Sequence, residues 1–159
     1  MSCRCQQMEV YGAESGLVRG EEFLTAADTQ LWVDRLRDEP WWERFYPQVL
    51  RVEALFVRGP GSVGGWHRDH GAGLIEMGPS HRCQLIVCHE LAHVLADVRY
   101  GSVAHCPWWS KVYLELVYFT MGVGAWTALR ESFIAAGIEF NPDPNPFDFG
   151  SRIEMPAAV

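Results

Sequence analysis

His89, Glu90 and His93 stand in the order H-E-x-x-H, and a third histidine, His105, follows after eleven further residues. On a helix, positions i and i+4 lie one above the other, so His89 and His93 would present two imidazoles to one point in space. Two neutral imidazoles at that spacing suit a metal ion, and a glutamate beside them suits the transfer of a proton from a metal-activated water. Catalytic zinc commonly takes three protein ligands and leaves a fourth position for water. His105 is the candidate third ligand, because a short loop and a turn before Pro107 can return it to the helix. Its rival is Glu115, further along the next predicted helix. A bare H-E-x-x-H also arises as two core histidines and a surface glutamate. The stretch around it is almost wholly apolar (Leu85, Ile86, Val87, Leu91, Ala92, Val94, Leu95, Val98). An imidazole pair and a carboxylate buried there are costly unless something satisfies them, and a metal would.

The elements that must position these residues follow from local signals. Ser80 or His81 opens the site helix, which runs to about Tyr100 and ends at Gly101 in a left-handed conformation. Pro107 fits the first turn of a backing helix, Trp108 to about Met121, with Leu114, Leu116, Val117 and Phe119 available to pack. Gly122 and Gly124 interrupt it, and a last helix spans Ala125 to Ala136. Upstream, Thr25 with Asp28 caps a helix from about Ala26 to Arg37, with Leu31, Val33 and Leu36 partly facing the core. Pro40 starts a short helix, Trp41 to Phe45. Val49 to Val57 alternates as a strand, and Leu74 to Met77 reads as a second, shorter one. Between them, the run from Gly59 to Gly71 is too glycine-rich to be regular and reads as a long hairpin loop. The fold class is α+β, one domain over residues 1–159, with a proline-rich tail from Asn141 that wraps the surface or is loose.

Several neighbours of the motif have more than one reading. Asp97 continues the His89–His93 ridge by four residues. It serves either as an acceptor that orients a ligand imidazole or as a polar residue near the helix end. His67 and His70 line a cleft, bind a second metal, or are plain surface residues. Cys88 follows the helix twist away from His89, whereas Cys106, next to His105, could approach the metal. Cys3-x-Cys5 has no partner pair at zinc-finger spacing. The pairs Trp41-Trp42 and Trp108-Trp109 read as core and cleft wall.

Composition narrows the partners. Of the 159 residues, 48% are hydrophobic and 13% aromatic, which is a globular composition. A net charge of −7 argues against a surface for nucleic acid, which needs a basic face. Five cysteines, an odd number, read mainly as reduced buried thiols. The polar N-terminus gives no secretory signal, and no run reaches the roughly 18 apolar residues of a membrane span. The expected location is cytoplasmic, with no membrane and no nucleic-acid partner.

The stretches His89-Glu90-Leu91-Ala92-His93 and Ala104-His105-Cys106-Pro107 resemble a zincin-type family of actinobacterial proteins taken to be metallohydrolases, in which H-E-L-A-H precedes A-H-G-P and a helix. The layout is also similar to SprT-like metallopeptidases. Cys106 stands where that pattern has glycine. The resemblance implies a small zincin-like domain with His89, His93 and His105 as zinc ligands, Glu90 as general base and one Zn2+ per chain. It implies a zinc-dependent hydrolase, in the first instance a metallopeptidase acting on a peptide or protein. On the reading of the residues themselves, the strand Leu74 to Met77 would lie along the cleft and pair with an extended peptide. Two other functions fit the same residues: a metal-binding structural or interaction protein without turnover, and an amidohydrolase for a small molecule.

Overall fold

A computed structural model describes residues 6–102 and 104–140. The expectations for Cys3, Cys5 and the tail from Asn141 fall outside these residues. The described elements are α1 (Gln7–Glu14), α2 (Ala26–Arg37), α3 (Pro40–Phe45), β1 (Arg51–Phe56), β2 (Ser62–His67), β3 (Ala72–Met77), α4 (Gln84–Tyr100) and α5 (Pro107–Ala135). Helices and a small sheet share one apolar core, so the α+β class holds.

Local chemistry sets the ends of the elements. Thr25 Oγ1 accepts from the Asp28 amide at 3.1 Å, and the Asp28 carboxylate accepts from the Thr25 amide at 3.2 Å, closing a reciprocal cap on α2. Val33 of α2 is buried, but Leu31 faces solvent, contrary to the expected packing face. Gly101 ends α4 with φ +65°, the conformation a side chain disfavours. The site helix starts later than the sequence suggests, because Pro79–His81 forms a separate 3-10 turn before Gln84.

The sheet corrects two expectations. Its order is β1-β3-β2, with β1 parallel and β2 antiparallel to β3. The strand that includes Leu74 to Met77 is therefore central, paired on both sides, and cannot accept a peptide. The glycine-rich stretch is not a loop throughout, since Ser62–His67 forms the edge strand β2. A Cβ on Gly64 would collide with the carbonyl oxygen of Glu90. The missing side chain is what lets the strand lie against α4. Gly73 of β3 works the same way, since a Cβ there would sit 2.6 Å from a Val94 methyl. Local propensity argued against a strand, and close packing on the helix overrides it. At the other edge, the Gln30 side chain donates to Val52 O and accepts from Ala54 N, both at 2.8 Å. The β1 edge is thereby closed by α2.

α5 is the backing helix. Leu114, Leu116 and Val117 are buried, and Phe119 stacks on Trp41 with centroids 4.8 Å apart. The expected break at Gly122 is present, with φ +83° inside an otherwise continuous 29-residue helix. By length and composition this helix could cross a membrane, which the residue-by-residue reading did not register. Its buried residues, however, run on both sides of the kink, from Trp109 to Phe133. Beyond the kink, Leu129 and Phe133 enter the core, and Ser132 Oγ donates to Ala13 O at 2.6 Å. The bend thus carries the second half of α5 against α1, a helix with no side-chain cap to mark its start.

Candidate metal centre

α4 places His89 and His93 on one face, with ring centroids 5.3 Å apart. The loop after Gly101 returns His105, whose ring lies 5.0 Å from His89 and 4.6 Å from His93. One ring nitrogen from each histidine lies within 4.8 Å of the others, so the three can hold a metal ion. Nitrogens around a tetrahedral zinc are about 3.3 Å apart, given bonds of about 2.0–2.1 Å, and His89 Nε2 lies 3.0 Å from His105 Nε2. Two facing imidazole lone pairs at that distance repel unless a proton or a cation lies between them. The donor set therefore fits a metal on geometry as well as residue type.

His89 and His105 are buried, and His93 is half-buried. Burial, with the neighbouring histidines, lowers the pKa of His93 to about 3 and of His105 to about 4. Both rings are neutral at pH 7, the form that ligates. Burial pulls His89 down as well, but its hydrogen bond to Glu14 and the charges of Glu14 and Glu90 raise it overall.

Glu14 lies 75 residues before His89 in the chain, and its Oε1 is 2.6 Å from His89 Nδ1. The carboxylate fixes the ring proton on Nδ1 and turns the Nε2 lone pair toward His105. Carboxylates commonly orient metal-binding imidazoles in this way. The Tyr113 hydroxyl also bonds Glu14, and burial together with that charge pushes its pKa well above 10. Asp97 does not have the orienting role open to it on sequence. Its Oδ1 pairs with Arg68 Nη2 at 3.1 Å. Glu115, the rival ligand, pairs with Arg99 Nη1 at 3.3 Å and is not among the clustered residues.

Trp109 closes the cluster from below. Its ring is wholly buried and lies 4.7, 5.2 and 4.5 Å from the centroids of His89, His93 and His105. Trp109 is thus core beneath the histidines rather than cleft wall, and Trp108 stacks on Tyr100 at 4.4 Å. Cys88 and Cys106 are buried. Cys88 turns away to Thr120 Oγ1 at 3.2 Å, and Cys106 Sγ lies 2.8 Å from Ser102 Oγ. His67 and His70 are exposed and outside the cluster.

The other side is open. A cleft of about 200 Å³ is lined by Tyr11, Ser62, Val63, Gly64, His89, Glu90 and His93. Burial raises the pKa of Glu90, while the His89 charge and hydrogen bonds from Ser62 and the Gly64 backbone act against it. The Ser62 hydroxyl donates to Glu90 Oε1 at 2.5 Å. Glu90 is thus a carboxyl group anchored on strand β2 at the edge of the histidine cluster. Sequence reasoning found the three histidines and Glu90 but not Glu14, Tyr11, Ser62 or Gly64. Gln7, Tyr11 and Glu14 do recur at i, i+4 and i+7, a polar stripe beside buried Val10 and Ala13. That stripe was the available signal for α1.

Compared with protein-family models, with curated proteins and with solved structures, the chain matches none of them.

Proposed function

We propose that the protein is a zinc-dependent hydrolase that cleaves an amide bond, with peptide as the substrate class. The observation that carries this reading is the pairing of a three-histidine cluster with a carboxylate, Glu90, in one open cleft. A purely structural zinc site is closed by four protein ligands. Here three histidines converge, and among the described residues neither Cys106 nor Glu115 supplies a fourth donor. A zinc ion held there would acidify a water and polarise a carbonyl. Glu90 would take the proton from that water and deliver it to the leaving nitrogen. Ser62 bonds Oε1 of Glu90 and the Gly64 backbone also bonds the carboxylate, which fixes its position for this exchange. The resemblance of His89–His93 and Ala104–Pro107 to zincin-type metallohydrolases supports the same chemistry. The substrate runs along β2 rather than β3, since β2 borders the cleft and, among the described residues, has one unpaired edge.

The test is metal analysis of the purified protein, followed by a peptide-library cleavage assay with wild type and Glu90→Gln. The expected result is about one zinc per chain in both. Cleavage by the variant should be lower by the roughly 10²–10⁴-fold that a positioned base contributes. An equally active Glu90→Gln enzyme would overturn the assignment of the base. Stoichiometric zinc with no cleavage of any peptide or small amide would favour a binding protein without turnover.

A further inference from the structure

The open side of the cluster also carries Tyr11, on the stripe of α1 that delivers Glu14. Its ring lies 5.8 Å from His89 in a stacked arrangement and 5.6 Å from His105 edge-on. The residue is 46% exposed, so it forms cleft wall rather than core. Its hydroxyl oxygen accepts from Gln7 Nε2 at 3.0 Å. That bond occupies an oxygen lone pair and leaves the phenolic proton without an acceptor among the described residues. Elsewhere the cleft presents Glu90, an acceptor, and Ser62, whose proton is already given to Glu90. Tyr11 therefore lines the cleft with a hydroxyl proton still to donate.

From these contacts we infer that Tyr11 is a catalytic residue that donates its phenolic hydrogen bond to the oxyanion formed when the amide carbonyl is attacked. This rests on the hydrolase reading and deepens it. In the addition step the water oxygen bonds to the carbonyl carbon, the C=O π pair moves onto the carbonyl oxygen, and Glu90 takes the water proton. Tyr11 hydrogen-bonds that oxygen without losing its proton. In the collapse step the oxygen pair re-forms C=O, the C–N bond breaks, and Glu90 returns the proton to the nitrogen. A donor aimed where charge develops strengthens in the transition state and contributes to rate rather than to substrate binding. Helix α1 holds the phenol in place, because Gln6 N donates to His105 O at 2.9 Å and the Gln6 side chain bonds Glu139 at both ends.

The experiment measures binding of a phosphinic dipeptide to the zinc-loaded protein by calorimetry, with wild type and Tyr11→Phe. Zinc affinity by chelator competition and the melting temperature are measured on the same samples. The tetrahedral phosphinate mimics the oxyanion and needs no turnover. Phenylalanine keeps the ring packed on both histidines, so zinc affinity and melting temperature should match wild type. Phosphinate affinity should fall roughly ten- to a hundredfold, in line with the loss of a hydrogen bond to a charged group. With a cleaved peptide, kcat should fall by about 10²–10³-fold at little change in KM. Equal phosphinate affinity in the two proteins overturns the role of Tyr11 and leaves the hydrolase reading standing. Failure of the wild-type zinc protein to bind the phosphinate overturns both. A Tyr11→Phe protein that loses zinc shows the residue to be structural.

Discussion

The two sides of the histidine cluster are built differently. On the closed side, Trp109, Tyr113 and Glu14 pack against the rings; both aromatic residues are buried and the Glu14 carboxylate is held against His89. On the open side, Tyr11, Val63 and Gly64 leave a cleft that the Glu90 carboxylate also lines. The closed side excludes water and fixes the ring orientation of His89, and both strengthen ligation. In the proposed reaction the open side would admit the substrate and hold the groups that move or donate protons. Holding the metal and using it are thus assigned to different residues, and substitutions should separate them.

The largest effect belongs to the ligands themselves. His93→Ala and His105→Ala should each lose stoichiometric zinc and lower the melting temperature of the zinc-loaded protein to that of the chelated form. Metal bound only by the folded state stabilises it, so losing the site loses that contribution. Glu115→Ala should keep its zinc, because its carboxylate is committed to Arg99. Elemental analysis and thermal melts decide the matter. A Glu115→Ala protein without zinc, beside a His105→Ala protein that retains it, would exchange the third ligand.

Next in size is Glu14→Gln. Glutamine keeps an acceptor for His89 Nδ1 but removes the charge. Zinc affinity should fall about 10–100-fold, the usual cost of altering the partner of a ligand imidazole. If chelator competition shows unchanged affinity while kcat collapses, Glu14 belongs with the reacting groups and the division between the two sides fails.

How much of this was legible in the sequence follows from where each residue sits. The ligands and Glu90 lie within one helix and one loop, so spacing alone brings them together. The Thr25 cap, the Gly101 end, the Gly122 break and the Pro107 start are also local devices, and all are present. Glu14 is 75 residues from the ring it orients, on an eight-residue helix with Gly12 inside it and no side-chain cap. Such a helix has little propensity of its own and exists by docking. β2 is the opposite kind of omission. Its glycines read as a loop because strand propensity measures side-chain packing, and here the packing is made by removing the side chain. Asp97 had the correct helical phase for an orienting role, but phase along one helix does not reveal Arg68 arriving from the sheet side.

The smallest effect expected is that of Ser62→Ala, and it reads the open side alone. Burial raises the pKa of Glu90, and the Ser62 hydrogen bond is one of the contacts that lower it. A bond to the ionised form favours that form. Removing it should move the Glu90 pKa further up, so the carboxylate is lost at a higher pH as the solution is acidified. The base must be ionised to take a proton, so the acid limb of kcat/KM should move to higher pH in the variant. At alkaline pH Glu90 is ionised in both proteins, and the two rates should converge to within a few-fold. Zinc content should not change, since Ser62 touches none of the three histidines through a hydrogen bond. The measurement is the pH–rate profile of both proteins on one cleaved peptide. An acid limb that stays in place would mean that Glu90 is not the group titrating there, and a limb that moves to lower pH would mean that Ser62 accepts from a protonated Glu90 rather than donating to its carboxylate.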